Sequence, residues 1–201
     1  PKIERESGAD AYIPPQHPAV KYWQEVNQQF DLYEPIVVLI DTKKPLGIFS
    51  LQTLSLIKWY TDQLAKTDGI RPDEIASVFT EKTIRATDDG IVTEPVIASL
   101  PQTEVELAAL RERVMGFPLH LGTLVARDGS AAVIAARLTD KADGGDVYNA
   151  LLALADRAPQ HGEQIHVAGQ PVASEYLEEY LSKDSTRMAI AVVLFIAPVL
   201  L

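Results

Sequence analysis

The stretch that most resembles chemistry is His161-Gly-Glu-Gln-Ile-His166. Two imidazoles around a carboxylate are the parts of a zinc site whose glutamate acts as general base. Helical zinc motifs place the histidines four apart on one face; here the interval is five, and His166 falls in an apolar, alternating segment that reads as a strand. We therefore read a loop histidine and a strand histidine. No carboxylate stands at ligand spacing from the other two histidines, His17 and His120. Asp88-Asp89 precedes Gly90, and local turn chemistry accounts for both. Glu175, Glu178 and Glu179 share a helical spacing that reads as a solvated face. Trp59, Tyr60 and Phe49 could line an apolar groove, but aromatics beside a helical stripe read more simply as core. There is no Gly-x-x-x-x-Gly-Lys-Ser/Thr phosphate loop, no Gly-x-Gly-x-x-Gly and no Gly-x-Ser-x-Gly elbow. The sequence thus predicts no catalytic, cofactor-binding or metal-ligating residue and no cofactor, which favours transport, binding or assembly over enzymology.

Composition narrows the classes further. The 201 residues are 47% hydrophobic and 23% charged, the make-up of a packed globular chain. Eighteen Lys and Arg against 28 Asp and Glu give a net charge of −10, which repels phosphate backbones and argues against nucleic acid as a partner. With no cysteine, disulfide scaffolds, thiolate metal sites and thiol nucleophiles are excluded.

The elements follow from periodicity. Residues 1–19, with Pro14, Pro15 and Pro18, read as an extended arm. A helix then places Val20, Trp23, Val26 or Asn27, and Phe30 near one face. Pro35 to Ile40 is a continuous β-branched run, expected to be a central strand covered on both faces. After the turn Lys43–Gly47, a helix from Ser50 carries Leu51, Leu54, Ile57 and Leu64 and stops before Asp68-Gly69. Glu74 to Thr80 is the next strand. Lys82–Thr87 and Ile91–Thr93 form a hairpin around Asp88-Asp89-Gly90. Thr103 and Glu106 make a capping box for a helical insertion over about 103–117. Leu124–Ala126 and Ala131–Ala136 flank the Asp128-Gly129 turn as two strands. A helix led by Gly144-Gly145-Asp146 and a strand Gln164–Ala168, closed by Gly169, complete a second β-α-β. Two such units predict an α+β, split β-α-β, ferredoxin-like sheet with helices on one face.

After Pro171 a long helix, with Tyr176, Leu177, Tyr180 and Leu181, runs into Met188–Leu201, fourteen residues without a polar side chain. As a helix that run is about 21 Å long against a hydrocarbon core of ~30 Å. It shows no polar stripe, as a buried core helix would, and Pro198 is better tolerated in a membrane helix. It ends with the chain itself, so we expect the beginning of a transmembrane segment, with Lys183 and Arg187 at the boundary where long basic side chains snorkel.

Three strings, in order, carry a resemblance over essentially the whole chain: Ile13-Pro14-Pro15-Gln16-His17-Pro18-Ala19-Val20; Pro118-Leu119-His120 followed by Leu124 to Ala132; and Ile165-His166-Val167-Ala168-Gly169-Gln170-Pro171-Val172. Together they resemble the large exoplasmic loop of RND-superfamily exporters of the MMPL/Patched-like type. The resemblance implies a porter subdomain on the periplasmic side of a bacterial inner membrane, at residues 20–170, between a preceding span and the span opened by 171–201. It implies hydrophobic or amphipathic, lipid-like cargo, energy from proton movement through carboxylates in membrane helices outside this chain, and partnership with the rest of the transporter, including a second similar loop. The alternatives are a membrane-anchored ligand-binding or partner-recruiting domain without transport, and an enzyme with a dispersed site.

An apolar helix end of this kind finds a partner, so self-association through Met188–Leu201 is expected. Deleting the residues after Arg187 should give a monodisperse domain by light scattering. Unfolding of that variant would show the tail to be core instead.

Overall fold

In the computed structural model the apolar run after Pro35 becomes β1 (Ile36–Asp41), the second-from-edge strand of a four-stranded antiparallel sheet. The structure describes residues 13–14, 16–30, 33, 35–87, 90–139 and 142–169, and beyond these only 173, 184–185, 187–188 and 192. The greater part of the expected arm and of the helix at 171–201, with Glu175, Glu178, Glu179, Lys183 and Pro198, lies outside the described residues, as do Asp88 and Asp89. The chain divides into two units, Glu34–Gly169 and a second comprising Pro1–Tyr33 with Gln170–Leu201.

The protein is α+β. The larger unit contains β1, α2 (Leu51–Leu64), β2 (Ile70–Ala76), the hairpin β3 (Lys82–Thr87) and β4 (Gly90–Pro95), α3 (Glu104–Met115), β5 (Ala131–Leu138), α4 (Gly144–Arg157) and β6 (Gln164–Ala168). The main sheet has the order β2-β5-β1-β6, with every paired neighbour antiparallel. Consequently β1 and β2 run parallel with β5 between them, and β5 and β6 run parallel with β1 between them. The hairpin forms a separate two-stranded sheet.

Alternation along the strands decides which face is core. Ile36, Val38 and Ile40 are fully buried, and so are Ala132, Ile134 and Ala136 of β5, against α2 and α4. Leu54, Ile57, Tyr60 and Leu64 of α2 and Val147, Leu151 and Leu154 of α4 supply the matching stripes at three- and four-residue spacing. The Tyr60 hydroxyl donates to the Leu151 carbonyl at 2.7 Å, joining the helices, and burial pushes its pKa up, so it stays a neutral donor. Tyr60 and Phe49 are therefore core. Val37, Leu39 and Asp41 are only half-buried; β1 is fully covered on one face, because α2 and α4 both pack on the same side.

Two further elements differ from the sequence reading. The strand read at Glu74–Thr80 runs from Ile70 to Ala76. It is an edge strand, where Pro72 removes no ladder bond, and its charged stretch is held by Glu74 bridging Arg71 and Arg137 at 2.9 and 3.0 Å. Ser77–Thr80 is a turn, in which the Thr80 hydroxyl accepts from the Ser77 amide and donates to the Ile75 carbonyl. Leu124–Ala126 is not a strand. The amides of Leu124 and Val125 both return to the His120 carbonyl, leaving two isolated bridges at Val125, one to Leu121 and one to Ala132. The capping interaction at Thr103 forms, the Glu106 amide donating to the Thr103 hydroxyl and the Glu106 carboxylate taking the free amide of Gln102. In the smaller unit, α1 (Pro18–Phe30) forms as expected, yet none of its residues is buried, and Trp23 and Phe30 are exposed.

One end of the main sheet is tied by a buried carboxylate. Glu163, just before β6, has a fully inaccessible side chain. It accepts from Lys44 Nζ, the Thr53 hydroxyl and the His161 amide, each at 2.6 Å. Burial alone would raise its pKa, but these three bonds outweigh that and hold it at about 2. Beside the cluster, Gly47 at φ +61° lies against the Gly129 carbonyl, which accepts from the Ile48 amide, so the turns at 43–47 and 128–129 dock backbone to backbone.

Glu163→Ala should cost about 3 kcal/mol in urea unfolding at neutral pH, the low end for breaking a buried pair because Lys44 keeps partial access to water. With the folded pKa depressed to about 2 from 4.5, the wild-type contribution is present above pH 4.5 and lost as pH falls through 2. The variant should lack this acid limb, and equal stability of the two proteins at neutral pH would show the cluster to be dispensable.

Candidate functional site

Two stretches of the larger unit that are not paired in the main sheet, the hairpin and α3, enclose a cavity of about 390 Å³. Thr83 and Glu94 face each other in the hairpin register, and by alternation Val96 continues their side. All three line the cavity. From α3, Ala109, Glu112, Arg113 and Gly116 line it at the i, i+3, i+4, i+7 spacing of one helical face. Leu110 and Val114 are buried, and Val114 also lines the cavity. Arg113 Nη2 donates to the Val96 carbonyl at 3.2 Å, tying helix to hairpin.

The chain past α3 completes the lining with Phe117 and His120. Their rings lie 4.9 Å apart, tilted by 41°. The His120 carbonyl collects two amides of the following loop, and the residue is buried, at 8% exposure. Its Nε2 is buried with no hydrogen-bond partner among the described residues. Burial lowers its pKa, opposed by the charge of Glu81; His120 is therefore neutral at pH 7. Read along the sequence, no carboxylate belongs to His120, and only the fold brings Glu81 within electrostatic reach.

On the outer face of the hairpin, Ile84 and Ile91 share a side by register and are 60% and 77% exposed. Ile84 also reaches the cavity, so apolar surface continues from the lining to solvent. A second depression of about 410 Å³ between α2 and α4 combines charges of both signs, among them Lys66, Asp68, Asp146 and Arg157, with Val147, Ala150 and Leu154.

The residues singled out for metal chemistry are not brought together. His161 lies in a loop and contributes its amide to Glu163, while Glu163 points into the core with both oxygens engaged. His166 is on β6, its Nε2 3.7 Å from Asp41 Oδ1. Among the described residues no three His, Cys, Asp or Glu side chains form a metal-holding group, and no helix is long and apolar enough to cross a membrane. His17 accepts the Ala19 amide at the start of α1. Compared with known proteins, the chain matches no family model and no curated sequence.

Because burial holds the folded pKa of His120 below its ordinary 6.5, the unfolded chain takes up the proton first as pH falls. Stability is then lost below pH 6.5 and levels off once the folded protein also protonates. Replacing the ring isosterically, His120→Phe, should flatten the drop in urea midpoint between neutral and mildly acid pH. An unchanged drop would assign that acid sensitivity to other groups.

Proposed function

We propose that this chain is the exoplasmic substrate-handling domain of a proton-driven membrane exporter of the RND superfamily, MMPL/Patched-like type, moving hydrophobic or amphipathic, lipid-like compounds. The observation that carries the reading is the interleaved order β2-β5-β1-β6, in which each β-α-β unit brackets a strand of the other. That is the arrangement expected of a ferredoxin-like porter subdomain. The apolar cavity between hairpin and α3 adds a place for cargo with an apolar body, and the Met188–Leu201 run adds a route into a membrane.

In this reading the chain performs no chemistry of its own and holds no cofactor. Cargo favours one arrangement of the domains over another and so shifts their populations, while proton movement through carboxylates in membrane helices elsewhere in the protein drives the cycle. The domain lies on the periplasmic side of a bacterial inner membrane. Its partners are the remainder of the transporter, with a second similar loop, and the cargo.

The coding sequence on either side of this stretch tests the proposal. It requires an apolar span before Pro1, completion of a span beyond Leu201, further spans carrying buried carboxylates, and a second domain of the same strand order. A stop codon after Leu201, or a single span followed by a cytoplasmic domain, would overturn transport.

A further inference from the structure

We propose that the cavity between the β3–β4 hairpin and α3 is a binding site for an uncharged small molecule with an apolar body and one hydrogen-bonding group, and that it discriminates against anions of the same shape. Calling that molecule a cargo rests on the exporter reading; the site itself does not. At about 390 Å³ the cavity falls within the ~300–1,000 Å³ typical of small-molecule sites. Val96, Ala109, Phe117 and Ile84 give it an apolar lining that reaches the surface at exposed Ile84.

Charge decides the class of ligand. Among the described lining residues the positive charge is that of Arg113, and Glu94 and Glu112 line the same cavity. Arg113 also spends a donor on the Val96 carbonyl. His120 is neutral, so no surplus positive charge remains to offset the desolvation of an anion, in a protein whose net charge is already −10. The hydrogen-bonding group is called for by His120. Its buried Nε2 has no partner among the described residues, and an unmade bond at a buried polar atom is a standing cost that a ligand group removes.

The test uses the whole chain and two fluorescent probes that share an apolar body, the uncharged phenylnaphthylamine and the anionic anilinonaphthalenesulfonate. We expect saturable binding of the uncharged probe and affinity for the sulfonate weaker by about tenfold or more. Ala109→Trp, which fills the cavity from the helix side and leaves Met188–Leu201 untouched, should weaken the uncharged probe by about tenfold or more. Thr83→Leu fills it from the hairpin side, and decides the matter if the tryptophan variant fails to fold by circular dichroism. Unchanged probe affinity in the folded variants, equal affinity for the two probes, or absence of saturable binding would overturn the site. None of these outcomes bears on the spans flanking the chain, so loss of the site and loss of the exporter reading are separable.

Discussion

The geometry of the larger unit depends on a carboxylate with no access to water. Placing Glu163 in the interior costs several kcal/mol unless its oxygens are matched. They are matched by donors from three places: the loop after β1 through Lys44, the first turn of α2 through Thr53, and its own approach to β6 through the His161 amide. Ser50, the N-cap of α2, donates in turn to the Thr53 hydroxyl. Because each missing bond leaves a buried charge less compensated, these segments come together as a group. The Lys43–Gly47 turn, held by Lys44, then meets the Gly129 turn through the Ile48 amide. From Gly129 the chain returns through the Ala126–Ala131 and Val125–Ala132 contacts to His120. A continuous set of hydrogen bonds thus runs from the pinned end of the sheet to the lining of the cavity. It fixes position; it is no evidence of signalling between the two.

Much of this architecture is legible where a single period dominates. The β-branched run at 36–40 forms β1, though covered fully on one face only, the stripe Leu54-Ile57-Leu64 is the buried face of α2, and Thr103 caps α3. Legibility fails where long-range partners override the local pattern. Ile70–Glu74 is too polar to read as a strand, and forms one at an edge because Glu74 finds Arg137 sixty-three residues away. Leu124–Ala126 is apolar enough for a strand, yet the amides of Leu124 and Val125 are captured by the His120 carbonyl and the segment turns back on itself. The candidate site was the least legible part. Its walls, Thr83 with Glu94 and Ala109 with Arg113, lie on different elements, and the apolar residues that meet there come from separate segments, so no single apolar period announces them.

The buried side chains of Glu163 and His120 are opposites in chemistry. Glu163 was visible only as the middle of a failed metal motif, and it has every oxygen engaged by protein donors. It has nothing left to offer a substrate, so its role ends with the fold. His120 is buried to a similar degree but keeps a nitrogen unmatched within the described residues, at a cavity whose apolar surface continues to solvent. A buried polar group normally has its partner, so an exception beside an open apolar cavity is the place where a ligand gains most from supplying one. That unmatched nitrogen, rather than cavity size, separates this site from the depression between α2 and α4, where no described lining residue has a buried side-chain polar atom without a partner.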